Sequence, residues 1–132
     1  MTTENRWLLP EGIEELLPER ASQLEALRRR LLDQCGTWGY RYVIPPLVEF
    51  TDSLLIGLGA DLDVVTCKFT DQMSGRMLGV RADITPQAAR MDAHSLAENG
   101  VTRLCYAGAT LQSTPQSVIG GRAPIQLGAE LF

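Results

Sequence analysis

Five polar residues in two stretches define the chemistry open to this chain: Arg81, Asp83 and Thr85 in one, Gln126 and Glu130 in the other. Two carboxylates, an amide and a hydroxyl on one sheet would bind an ammonium group together with a polar side chain, because carboxylates favour a cation in a low-dielectric cleft. In the first stretch, Gly79 to Arg90, an apolar strand-like lead-in meets a helix start. Thr85 is suited to the N-cap, and Pro86 to the first helical position, where a missing N–H costs nothing. Polar groups at a strand end beside a helix N-terminus are placed to hold a small polar ligand. A simpler reading is a capped turn with a surface ion pair between Arg81 and Asp83, and a solvated sheet face for Gln126 and Glu130. Both readings stand at this point. No nucleophile–base pairing, phosphate-gripping glycine loop or metal cluster accompanies the set. Binding is therefore expected, with no catalytic residue, no metal and no cofactor.

The elements that must position these residues follow from the pattern. Met1 to Leu17 reads as an arm too apolar to float free, with Trp7-Leu8-Leu9 and Leu16-Leu17 as anchors. A helix is predicted from Pro18 or Ser22 to about Trp38. Ser22 and Glu25 have the form of a capping box, Leu24, Leu27, Leu31 and Cys35 share a face, and Glu25–Arg29 is a favourable pair. Tyr40 to Ile44 reads as a strand ended by Pro45-Pro46, and Leu47 to Leu55 as a short extended piece and a helical turn. Gly57, Gly59 and Asp61 mark a loop. Val64–Thr70 and Arg76–Arg81 form a predicted β-hairpin with Gly75 at positive φ. A helix runs from Pro86 to about Glu98, stopped by Asn99-Gly100. Arg103–Gly108 and Ile125–Phe132 are strands, joined by a polar, glycine-rich loop from Gln112 to Gly121. In the last strand Gln126, Gly128 and Glu130 face one way and Ile125, Leu127, Ala129 and Leu131 the other. The order predicts an α+β domain on a largely antiparallel sheet flanked by helices.

Length and composition bound the rest. At 132 residues one domain, spanning 1–132, is expected, and 45% hydrophobic with 21% charged residues is the make-up of an ordinary folded chain. The net charge is −4 and the one basic run, Arg28-Arg29-Arg30, lies on a predicted helix as a solvated face, so no nucleic-acid footprint is indicated. Cys35, Cys67 and Cys105 are far apart, and the single His94 cannot complete a zinc site. Reduced, mostly buried thiols in a cytoplasmic protein are expected. There is no apolar run for a membrane span. Phe132 falls inside a strand pattern, so a longer polypeptide is expected.

With these residues in view, the chain resembles class II aminoacyl-tRNA synthetases over about Gly12 to Phe132. Gly39-Tyr40 to Glu49 looks like their first motif, a helix and proline-ended strand that forms the dimer interface. Arg81-Ala82-Asp83-Ile84-Thr85 is similar to the Arg-Pro-Glu-Gly-Thr run of histidyl-tRNA synthetases. Arg103 to Phe132 resembles their second motif, closing on Gln126-Leu127-Gly128-Ala129-Glu130. The resemblance implies that Asp83, Thr85, Gln126 and Glu130 stand at histidine-binding positions, Asp83 in place of a glutamate.

The departures point away from catalysis. Where the second motif carries an arginine for the ATP α-phosphate and, two positions on, an acidic residue, this chain has Gln112 and Thr114. A neutral amide cannot offset phosphate charge as a guanidinium does. The loop also has Ser113, Pro115, Ser117 and Val118 where synthetases are rich in charge. A synthetase-like chain lacking that arginine resembles the regulatory subunits of ATP phosphoribosyltransferase, and Arg6 to Pro18 is similar to that subfamily's opening. The resemblance implies a non-catalytic subunit of the first step of histidine biosynthesis. It also implies a short-form catalytic partner, a homodimer through the first-motif helix and strand, a hetero-octamer and feedback control by histidine. The alternatives are a fragment of an active histidyl-tRNA synthetase, or a stand-alone amino-acid-binding or dimerisation module.

Overall fold

Two three-stranded sheets carry the structure, one ordered Arg41–Tyr42, Arg103–Ala109, Ile125–Leu131 and the other Val48–Phe50, Met77–Val80, Lys68–Thr70. It is a computed structural model that describes residues 6–56, 59–115 and 120–132. Gly57, Ser117 and Val118, which entered the reading above, lie outside them, as do residues 1–5. The elements are α1 (Pro18–Thr37), β1 (Arg41–Tyr42), β2 (Val48–Phe50), α2 (Thr51–Leu54), α3 (Ala60–Val65), β3 (Lys68–Thr70), β4 (Met77–Val80), α4 (Thr85–Arg90), a π-helical segment (Met91–Leu96), β5 (Arg103–Ala109) and β6 (Ile125–Leu131). The α+β class is as expected, but the strands divide over two sheets. β1 runs parallel to β5, and the other pairs are antiparallel.

α1 starts at Pro18 behind Leu17, so Ser22 and Glu25 lie inside the helix rather than in a capping box. Glu25 instead pairs with Arg28 and Arg29, each at 3.2 Å. No residue of α1 is buried, and Leu27 and Leu31 on its apolar face remain 50% and 42% exposed.

The predicted strand from Val64 is a helix at its start. Asp61 and Asp63 lie in the first turn of α3, where acidic groups suit the helix dipole, and β3 begins only at Lys68. The hairpin β3–β4 forms as predicted, with Gly75 at φ 73° and Asp71 bonded to Met73 N–H and the Ser74 hydroxyl.

Ile84, not Thr85, takes the N-cap position of α4. The helix continues into the π segment and stops at left-handed Ala97, φ 48°, ahead of the expected Asn99-Gly100. α4 is seated by Glu49 of β2, whose carboxylate accepts from Gln87 Nε2 at 2.7 Å and pairs with Arg90. The core is the contact of Ile84, Ala88 and Tyr106, flanked by Val43.

β6 turns its polar side inward. Gln126, Gly128 and Glu130 are half-buried against α4 and β5, while Ile125 and Leu131 are 50% and 61% exposed. The solvated-face reading of Gln126 and Glu130 therefore fails. The arm ends in a clasp: Arg122 donates from Nη1 to Glu11 O and from Nε to Gln112 O, and its amide bonds Gly12 O at 2.8 Å. Trp7 and Leu8 beyond the clasp are exposed.

Candidate functional site

Arg81 and Asp83 do not pair. Arg81 is 6% exposed and donates to the carbonyls of Ala109 (2.7 Å), Pro45 (2.8 Å) and Pro46 (3.5 Å). Burial pulls its guanidinium down from the ordinary value, against the opposing pull of Glu49. It packs over Gly108, where a Cβ would collide with the guanidinium. Arg81 thus joins the end of β4 to the end of β5, and it does not line the cavity walled by Asp83 and Gln126.

Asp83, Thr85, Gln126 and Glu130 belong to one hydrogen-bonded set. Asp83 Oδ1 accepts from Thr85 N–H (3.0 Å) and Gln126 Nε2 (2.8 Å), and Gln126 Oε1 accepts from Ile84 N–H (2.8 Å). The amide is therefore oriented by both of its ends, and the turn into α4 is locked to β6. Glu130 joins through a residue the sequence reading passed over. Tyr106, 2% exposed on β5, donates from its hydroxyl to Glu130 Oε1 at 2.9 Å and lies 3.0 Å from Thr85 Oγ1. Burial, together with Glu130 and Asp83 and against Thr85, pushes its phenol up to about 12, so it stays a protonated donor. Tyr106 is in register with Gly128, where a Cβ would stand 2.8 Å from the ring's Cε2. A glycine inside a strong strand pattern, opposite an aromatic, was the available signal.

Asp83 and Gln126 wall a cavity of about 500 Å³ whose other polar lining includes Asp61, Thr110 and Gln112. Among the described residues, no arginine, lysine or histidine lines it. Thr85 lines a separate hollow beside Glu49 and Arg90, and neither Glu130 nor Thr114 lines the cavity. Next to Gln112, Ser113 ties the loop root to α3, its N–H on Val65 O at 2.8 Å and its hydroxyl on Val64 O at 3.1 Å. Two carboxylates facing a cavity that no described cationic residue lines favour a positively charged group there over a phosphate.

Against known proteins, a family model described as histidyl-tRNA synthetase matches residues 12–132. The chain belongs to the histidyl-tRNA synthetase family. Within that family it is 62% identical over its whole length to a Teredinibacter turnerae protein and 60% identical over 98% of it to one from Alkalilimnicola ehrlichii, both named ATP phosphoribosyltransferase regulatory subunit. It covers 34% and 32% of those proteins, so the chain spans about a third of the length of the curated relatives it matches. Among solved structures, an ATP phosphoribosyltransferase regulatory subunit/histidyl-tRNA synthetase from Bacillus halodurans matches 99% of the chain and 33% of that protein, with TM-score 0.80 and 26% identity. The class II synthetase-like fold follows from that match.

Proposed function

We propose that the chain is part of a non-catalytic regulatory subunit of ATP phosphoribosyltransferase and that its acceptor-lined cavity takes histidine. The observation that carries the reading is the make-up of the cavity. Asp83, Gln126 and Gln112 line it, with Asp83 accepting from Gln126 Nε2 and Thr85 N–H. On the resemblance to synthetases, the first two stand at amino-acid-binding positions and Gln112 stands at the place of the arginine that holds the nucleotide. An ammonium ligand satisfies Asp83, and the second proton on Gln126 Nε2 is available to a ligand carboxylate. The names of relatives at 60–62% identity support the same reading. The partner is the short-form catalytic subunit, a glycosyltransferase of the cytoplasm, and bound histidine shifts it between active and inhibited states. The half-exposed apolar side chains of α1 and β1, Leu27, Leu31 and Tyr42 among them, suit a homodimer seam within a hetero-octamer.

The test is a pull-down of the full-length protein with the short catalytic subunit, followed by the partner's activity with and without histidine. Retention of the partner and a histidine-dependent rate are expected. A full-length protein that carries out histidine-dependent pyrophosphate exchange at synthetase-like rates would instead make this a piece of an active histidyl-tRNA synthetase.

A further inference from the structure

We infer that Cys35 and Cys105 are a thiol pair that closes into a reversible disulfide, a modification site that staples the end of α1 to β5. Neither residue lines the cavity assigned to histidine.

The fold brings the two thiols to the same place. Successive side chains of a strand point to opposite faces of its sheet. Tyr106 lies in the core with Ile84 and Ala88, so Cys105 faces the other side of β5, where α1 packs against β5 and β1. Cys35 stands in the last turn of α1, in line with Leu24, Leu27 and Leu31. From there the chain passes directly into β1. Tyr40 N–H bonds Cys35 O at 3.1 Å, and two residues on Tyr42 is in register with Cys105. Val43 N–H then bonds Cys105 O at 3.0 Å. Cys35 is the hydrogen-bonding neighbour of the Cys105 thiol, which burial first, and Cys35 after it, push up from its ordinary value.

Exposure sets the order of events. Cys35 is half-buried and Cys105 is 2% exposed, so a small disulfide such as oxidised glutathione reaches the first and not the second. Cys35 gives up its proton and attacks one glutathione sulfur. That S–S bond breaks, and one glutathione leaves and takes up a proton. Cys105, losing its own proton, then attacks the Cys35 sulfur and expels the second glutathione. Two protein thiols are oxidised and one disulfide is reduced to two thiols, with no further reactant. In a reducing compartment the bond is transient. Cys67, also half-buried but on the approach to β3 in the other sheet, is the internal reference.

Peptide mapping by mass spectrometry tests this on the full-length protein after incubation with oxidised glutathione. A peptide pair joined through Cys35 and Cys105 is expected, with a melting temperature raised by about 3 to 6 °C, and dithiothreitol should reverse both. Cys35→Ser should leave Cys105 unmodified and abolish the rise. Cys105→Ala should trap Cys35 as the glutathione mixed disulfide. Should the alanine variant not fold, Cys35→Ser decides, because that position lies outside the core. A wild-type Cys35 that stays free, stops at the mixed disulfide, or joins any thiol other than Cys105 overturns the inference.

Discussion

At the Asp83 end of the cavity a carboxylate, an amide and two peptide N–H groups close on one another at 2.8–3.0 Å. At the Gln112 end, the hydrogen bonds described belong to the backbone, with N–H on Arg122 O at 2.7 Å and C=O receiving Arg122 Nε at 3.1 Å. At one end the site side chains hold one another; at the other, Ser113 and Arg122 hold the path of the chain, and no hydrogen bond of the Gln112 side chain is found among the described residues. The proposed reading treats the first as an amino-acid half and the second as a nucleotide half without its charge, and the experiments below test that division. Dipoles held rigidly in place are what a binding site needs, because they reorganise little when the ligand arrives.

Four experiments on the full-length protein would break or sharpen this contrast. The largest effect is expected outside the cavity. Arg81→Leu leaves the carbonyls of Ala109 and Pro45 without a donor in a buried place, and should cost about 3 to 4 kcal/mol in chemical denaturation. A loss under about 1 kcal/mol would return Arg81 to the candidate ligands.

Next comes pH. Folding raises the Tyr106 phenol from 10.0 to about 12, so the folded state holds that proton more tightly than the unfolded chain. The stabilisation is complete below pH 10 and fades as pH climbs toward about 12, a change of about 2 to 3 kcal/mol. Tyr106→Phe should lack that alkaline slope.

Asp83→Asn should weaken histidine binding about tenfold to a hundredfold in calorimetry while barely moving the melting temperature. Equal losses of stability and affinity would mean that the bonded cluster only holds the fold. The smallest effect is expected at the other end. Gln112→Ala should change stability by less than about 0.5 kcal/mol and leave histidine affinity as it was. A large loss of affinity there would make the amide part of the amino-acid site.

Much of this architecture was legible where local pattern and tertiary packing agree. The hairpin, β5 and β6 carry alternation and turn residues that no neighbour overrides. Val64 and Val65 read as strand because β-branched residues favour it, yet the acidic turn of Asp61 and Asp63 drew them into α3. The π segment after Arg90 adds no visible break to a 3.6-residue pattern of alanines, methionine and leucine, so its early stop at Ala97 stayed hidden.

In the site, Asp83, Thr85 and Gln126 were legible because their types announce hydrogen bonding. Tyr106 was not, since a lone aromatic in an apolar strand looks like core, and its hydroxyl matters only once Gly128 is seen opposite. Arg81 misled for a related reason. A charged residue two positions from an aspartate suggests an ion pair, but its true partners are carbonyl oxygens supplied from 28 and 36 residues away.

The Arg122 clasp has a practical corollary. It ties the root of the long loop to Glu11 and Gly12, positions at the far end of the numbering. Trimming through Glu11, or fusing a bulky tag just ahead of it, would slacken that knot and shift Gln112 along with it. Measurements of ligand response on shortened or tagged versions would then report a loosened leash rather than the native cavity.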